Sequence, residues 1–408
     1  MMDRMNRIMQ MVNQQKEELY QLIQDMVRIR SYSGEEGKLV DFLIQTMQNF
    51  GFDEAYSDQL GNAVGRVGDG PVTILMDGHI DTVHVTENEN WPYDPFAGTI
   101  VDGKIYGRGV VDEKSAVAGF IMAGKAIKQV YGQASLPFTL YIVGSVMEED
   151  CDGYPLLHLI QREGIRPDYV VLGEPTDLTV YRGQRGRMEI KASIEGVSAH
   201  GAHNEQGDNA IYKMAEFVKA LENMDVNLPS VEPLGKGALT VSQISSRAPS
   251  LCSVADYCEV HIDRRLTKGE TVETVLAELD QLAKDKGLQV HIRVPDYYGK
   301  SWKKTSFTQK AYFPTWVLDQ DHVLCRSALS VANQVLGVSK KSGFWKFSTN
   351  GVATAGRLGI PTIGFAPGLE ELAHSDKEFI FLEDLLKATL FYARLPFDVV
   401  TRRKADRS

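Results

Sequence analysis

Apolar residues recur along this chain with two periods. Leu19, Leu22, Ile23, Met26 and Val27 fall at helical spacing and predict an amphipathic helix near Glu17 to Arg30, with a second near Glu35 to Phe50. Strand patterns follow at Ala63 to Val67 and in the run ending at Met76. A helix from Ser115 to Val130 carries Ala116, Ala118, Gly119, Ala123 and Gly124, small residues that allow close approach to a sheet. Strands near Leu136 and Asp168 complete an α/β unit.

The texture changes after Thr179. Met188 to Ile194 alternates as a strand, and Ala210 to Met224 reads as a helix with Ile211, Met214, Ala215, Val218 and Leu221 on one face. Strands near Ala238 to Ile244 and Ser253 to Asp263, a helix Val272 to Lys286 and a strand Leu288 to Val294 follow. That order is β-α-β-β-α-β, the ferredoxin-like arrangement. From about Asp321 the α/β texture returns: a helix to Leu336, a helix near Val352 to Leu358, a strand Pro361 to Phe365 and a last helix from Glu383. The expected fold is therefore α/β, a larger mixed-sheet domain built from residues 1–180 and 297–408 and interrupted by a ferredoxin-like insert at 181–296. There is no internal repeat and no low-complexity linker.

A length of 408 residues agrees with two domains. The net charge of -10 argues against a general nucleic-acid or anionic-membrane binder. No apolar run approaches the roughly 18 residues needed to cross a bilayer, and charges break up any signal-like stretch near the start. Four cysteines (Cys151, Cys252, Cys258, Cys325) form no C-x-x-C pair, which with the missing signal points to a reducing cytoplasm.

Candidate chemistry gathers where apolar runs end. Val72 to Met76 leads into Asp77-Gly78-His79-Ile80-Asp81, Thr139 to Val143 leads to Glu148-Glu149-Asp150, and Tyr169 to Leu172 leads to Gly173-Glu174-Pro175. In open α/β sheets, sites form where strands end and loops begin. With Asp112 and His374 these give five potential ligands of mixed histidine and carboxylate type, which suit zinc or a similar divalent ion. Each position also has a plain explanation. Asp112 could cap the following helix, Glu148 to Asp150 could be a solvated acidic turn, and Glu174 could be a turn residue before proline. Together, two histidines and three carboxylates are the inventory for two ions sharing one bridging carboxylate.

The stretches MDGHIDTV, GRGVVDEKSAVAG, VMEEDCDG, LGEPTDL, RGQRGR, GVSAHGAHNEQGDNA, IDRRLTKGE and FAPGLEELAHSDKEFI occur in an order that identifies a resemblance. The chain resembles the M20 metallopeptidase family, in its acetylornithine deacetylase/succinyl-diaminopimelate desuccinylase branch, from about Arg30 to the end. The resemblance implies two bound divalent ions, zinc with cobalt and manganese as alternatives, in a catalytic domain carrying a lid that also dimerises. It implies that Asp112 bridges the ions, that His79 and Glu174 complete one site, and that Glu149 and His374 complete the other. Asp81 is expected to hydrogen-bond His79, Glu148 to act as general base, and His200 to stabilise an oxyanion, often from the neighbouring subunit. A cis peptide between Asp112 and Glu113 is also implied.

Arg265 falls where the family binds a substrate carboxylate, although Arg264-Arg265 could equally be a surface pair. Asn350, a second expected substrate-binding residue, stands where an aspartate is common, Cys252 where an asparagine is, and Asn204 lacks a frequent proline. The implied activity is hydrolysis of an N-acyl or N-carbamoyl-type amino acid, a small amide bearing a free carboxylate, by a cytoplasmic homodimer without nucleic-acid or membrane partners. The alternatives are a di- or tripeptidase or carboxypeptidase, and a non-catalytic binding protein on the same scaffold.

Overall fold

The computed structural model describes residues 2–87, 89–132 and 134–406. Its largest sheet has nine strands. Four of them form a parallel centre in the order Thr139–Ser145, Thr73–His79, Tyr169–Leu172 and Thr362–Gly364. Antiparallel strands flank this centre on both sides, so the sheet is mixed. The central strands are almost wholly apolar and buried, as expected of strands covered on both faces.

The small-residue helix forms at Lys114–Tyr131, with nearly every residue from Lys114 to Ile127 buried. Its close approach depends on glycines at the strand ends. A Cβ on Gly78 would lie 2.7 Å from Val117, and one on Gly173 would lie 2.5 Å from Ala116. The long final helix, Leu382–Ala405, packs beside it, with Phe120 against Tyr392 at 4.4 Å between ring centroids.

A second sheet has the order Ala238–Arg247, Tyr257–Leu266, Gly186–Glu195, His291–Arg293, all antiparallel. The helices Ala210–Val226 and Val272–Asp285 cover one face of it around a separate core of Met188, Ile190, Phe217, Val260 and Leu279. This is the ferredoxin-like order. The pleat decides which residues join that core: along Tyr257–Leu266 burial alternates strictly, so Arg264 points inward and Arg265 to the opposite face.

Several elements differ from expectation. Met2–Gln14 is a helix that was not among the expected elements, and it seats Ile8 and Val12 in the core. The strand expected over Leu288 to Val294 shortens to His291–Arg293. Val352 to Leu358 forms a wide turn in which the Leu358 amide donates five residues back to Ala353. A hairpin of Asp296–Lys300 and Ser306–Lys310 was not expected, and its Trp302 indole donates to the Gly61 carbonyl. No helix among the described residues is long and apolar enough to cross a membrane.

Candidate metal centre

Three of the four central strands deliver candidate ligands at their carboxyl ends. His79 is the last residue of Thr73–His79, Glu148 and Glu149 follow Thr139–Ser145, and Glu174 follows Tyr169–Leu172. Asp112 precedes the helix Lys114–Tyr131 across a cis peptide to Glu113. His374 lies ten residues past the fourth strand, at φ 58, in the left-handed region that few non-glycine residues adopt.

These side chains converge on Asp112. One Asp112 oxygen lies 2.7 Å from His79 Nε2, and the other lies 3.0 Å from His374 Nε2. His374 Nε2 is also 3.0 Å from Glu149. His79, Asp112 and Glu174 form one triad of donor atoms, and Asp112, Glu149 and His374 a second, each with its atoms within 4.8 Å of one another. Asp112 is the only member of both. All five line a cavity of about 510 Å³ except His79, which is buried behind it.

Charge in this cavity is unbalanced: seven lining side chains are carboxylates, against two arginines, one lysine and one histidine. Burial, reinforced by Asp152, pushes the Glu148 carboxyl well above the usual range, although His79 opposes this. Burial and then Glu113 and Glu148 do the same to Glu174, and burial and Asp112 raise Glu149. Burial would also raise Asp112, but the two histidines outweigh it and hold that carboxyl below its ordinary value. Glu148 Oε1 is buried without a hydrogen-bond partner among the described residues. Crowded carboxylates, two imidazoles and one shared acid fit a pair of divalent cations.

Residues 75–398 match the peptidase family M20/M25/M40. This chain belongs to that family. It is 41% identical over 379 residues to the uncharacterized protein YgeY of Escherichia coli strain K12, covering 93% of this chain and 94% of that one. It is 27% identical to the acetylornithine deacetylase of Proteus mirabilis strain HI4320, over 84% of each. Among solved structures, the YXEP protein of Bacillus subtilis, described as a dinuclear metal binding peptidase of the M20 family, superposes with a TM-score of 0.68 at 14% identity. That match covers 95% of this chain and 98% of that one.

Within this M20 chain, the other expected site residues have varied positions. Asp81 contacts His79 through its backbone: His79 Nδ1 is 3.0 Å from the Asp81 carbonyl oxygen and 3.7 Å from its carboxylate. The Asp81 carboxylate instead accepts the amides of Glu148 and Glu149, each at 3.1 Å, and the Ser33 hydroxyl at 2.7 Å. Arg265 lines the cavity, whereas Arg264 is fully buried and paired with Glu270. His200 is exposed and does not line the cavity of its own chain. Its Nδ1 accepts the Ala202 amide.

Asn350 is only 2% exposed and also stands outside the cavity lining. Its amide group donates to Asp77 and Ser145, and its oxygen accepts the Gly153 amide, so it braces the sheet rather than facing a ligand. Cys151 is a buried thiol against the Gln309 side chain.

Four further acids and bases support the cluster, and sequence reasoning passed over them. Glu113 Oε1 accepts the His79 amide at 2.5 Å. Glu36 accepts the amide of Met147, the residue before Glu148, which has φ 61. Glu378 accepts the amides of Val111 and Asp112 through one oxygen and pairs with Arg108 through the other at 3.0 Å. Arg108 also donates to the Ser375 carbonyl, beside His374, and pairs with Glu89. Glu378 had one available signal, its place four residues after His374 in a motif already singled out.

Proposed function

We propose that this chain is a two-metal amidohydrolase that removes an acyl or carbamoyl-type group from an amino acid. The observation that carries the reading is the double triad around Asp112, with the carboxylate of Glu148 beside it and outside both triads. His79, Asp112 and Glu174 would hold one divalent ion, and Asp112, Glu149 and His374 the other, with zinc the metal their donor types suit best. Such a pair of ions makes water more acidic and polarises a carbonyl.

Glu148 supplies the general base. Its Oε2 is 4.0 Å from His79 Nε2, and its Oε1 is free to accept a proton. It removes a proton from the attacking water and returns it to the leaving nitrogen. Asp81 and Glu36 hold the backbone on which Glu148 rides, fixing the base relative to His79. Arg265 binds the substrate carboxylate through its guanidinium fork. His200 acts on the oxyanion from a second copy of the chain, consistent with its exposed position outside its own cavity. In this reading the insert, residues 181–296, is both lid and dimer contact.

A peptidase would use the same acids. The test is therefore a panel of N-acetyl, N-succinyl and N-carbamoyl amino acids beside dipeptides and tripeptides, assayed with metal-reconstituted protein. Preferred turnover of N-acyl or N-carbamoyl amino acids is expected. Preferred cleavage of peptides would replace the deacylase reading with a peptidase one, and no turnover across the panel would favour a binding protein.

A further inference from the structure

The hairpin of Asp296–Lys300 and Ser306–Lys310 touches three parts of the molecule. Its base belongs to the sheet of the insert. The Ala311 amide donates to the Pro295 carbonyl, the Ala311 carbonyl accepts the Glu189 amide, and Tyr312 and Phe313 pair with Met188 and Arg187. Its tip belongs to the larger domain. The Trp302 indole donates to the Gly61 carbonyl, Lys303 Nζ to the Asp58 carbonyl at 2.7 Å, and the Thr305 hydroxyl to the Gln59 carbonyl at 2.9 Å. Between base and tip, one face lies on the loop that follows Glu148 and Glu149. Burial alternates along Ser306–Lys310, so Phe307 and Gln309 turn inward while Ser306, Thr308 and Lys310 stay in solvent. Phe307 stacks on Tyr154 at 4.2 Å between ring centroids.

Packing alone would favour an apolar side chain at position 309, because burying an amide is costly unless it is hydrogen-bonded. Gln309 is only 5% exposed. Its Nε2 donates to the Asp152 carbonyl at 3.1 Å and to Cys151 Sγ at 3.3 Å, and its Oε1 accepts Arg357 at 2.6 Å. Cys151 in turn closes the turn that holds the base: its amide donates to the Met147 and Glu148 carbonyls at 3.0 and 2.9 Å. The Asp152 carboxylate pairs with Arg187 of the insert at 3.2 Å. The two halves of the loop are thus held from different sides. Asn62, Glu36 and Asp81 accept the amides from Val146 to Glu149. Cys151 and Asp152 are held by Gln309 and Arg187, on segments joined to the insert.

We infer that Gln309 is a positioning residue for Glu148: it fixes the rear of the loop that carries the base and, with Arg187, ties that loop to the insert. A base acts only within hydrogen-bond reach of its proton, while Arg265 on the insert sets where the substrate lies. A loop free to shift against the insert would misalign the two. The inference rests on the amidohydrolase reading above.

Gln309→Met keeps the bulk of the side chain and removes its three polar contacts. In metal-reconstituted full-length protein it should lower kcat roughly 10–100-fold, as a displacement of about 1 Å does, with KM little changed and both metals retained. Gln309→Glu keeps the acceptor for Arg357 and loses only the donors to the loop. Its kcat should fall similarly, while its urea midpoint stays closer to wild type. Gln309→Met combined with Arg187→Gln should lose less than the product of the two single losses, because both residues hold Asp152. Hydrogen exchange reads the loop without turnover: amides of residues 146–154 should exchange faster in Gln309→Met, and those of Thr73–His79 should not. Near-normal kcat in Gln309→Glu, or a loss carried by KM alone, would overturn the positioning role. A fully multiplicative double variant would overturn the tie to the insert. Faster exchange in both segments alike would make Gln309 a general brace of the fold and also overturn the inference. If the wild-type protein hydrolyses no amide and exchange still rises in the loop alone, the amidohydrolase reading fails and the hold of Gln309 on the loop stands.

Discussion

His79 and Glu174 stand at the ends of adjacent parallel strands, 1% and 4% exposed. Glu149 and His374 stand on loops, and the His374 side chain is 52% exposed. The first pair is placed by the sheet itself: once the strands are in register, the two residues must meet. The second pair needs outside support. Asp81 holds the Glu149 amide, while Glu378 and Arg108 tie the Asp112 backbone to the segment that follows His374. One half of the cluster is therefore a property of the core, and the other depends on buried polar contacts between distant segments. Buried polar networks are costly when one member is lost, so the halves should fail in different ways.

The largest effect is expected where the halves meet. Glu148→Gln should lower turnover by roughly 10²–10⁴ while both metal equivalents remain bound. Near-normal turnover by a metal-replete variant would take Glu148 out of the mechanism. Arg108→Ala should come next, because it leaves Glu378 buried without its partner cation. The expected loss is about 3–5 kcal/mol in urea unfolding of metal-free protein. A loss below about 1 kcal/mol would mean that the Asp112 and His374 segments do not rely on this pair.

His200→Ala should reduce turnover by about 10²–10³ with unchanged metal content, the usual effect of losing an oxyanion donor. Mixing it with Glu148→Gln protomers should restore part of the activity, since one hybrid site then has both groups intact. No recovery after verified subunit exchange would show that His200 does not act across an interface. The smallest effect separates the halves most cleanly. His374→Ala should lose about one of two metal equivalents and lower metal-free stability by less than His79→Ala does, because its ring is half exposed although it pairs with Asp112 and Glu149. His79→Ala should lose metal and also cost roughly 1–3 kcal/mol, because it leaves a buried cavity and an unpaired Asp112 oxygen. Equal stability losses would erase the distinction.

The same division explains what could be read from the chain. His79, Glu149 and Glu174 were legible because each closely follows an apolar run that could only be a buried strand. The ferredoxin-like insert was legible because its strand and helix periods alternate in a recognisable order. Asp112 and His374 joined the ligand set through residue type and combination with the other three, and only the resemblance gave them their roles. Glu378 and Arg108 were missed because their contacts span 270 residues, a separation that periodicity does not report. Asn350 was misjudged for a related reason: position beside a motif does not reveal that a side chain turns into the sheet to meet Asp77 and Ser145. The contact between Asp81 and the His79 imidazole is made by the Asp81 carbonyl, which leaves the carboxylate for the Glu148 loop.

The most direct test is anomalous diffraction at the zinc edge from crystals of zinc-reconstituted protein. Two peaks should flank the Asp112 carboxylate, one beside His79 and Glu174 and the other beside Glu149 and His374. They should lie about 3.5–4 Å apart, the usual spacing of two-metal sites. A single peak, or peaks that do not share Asp112, would contradict the account.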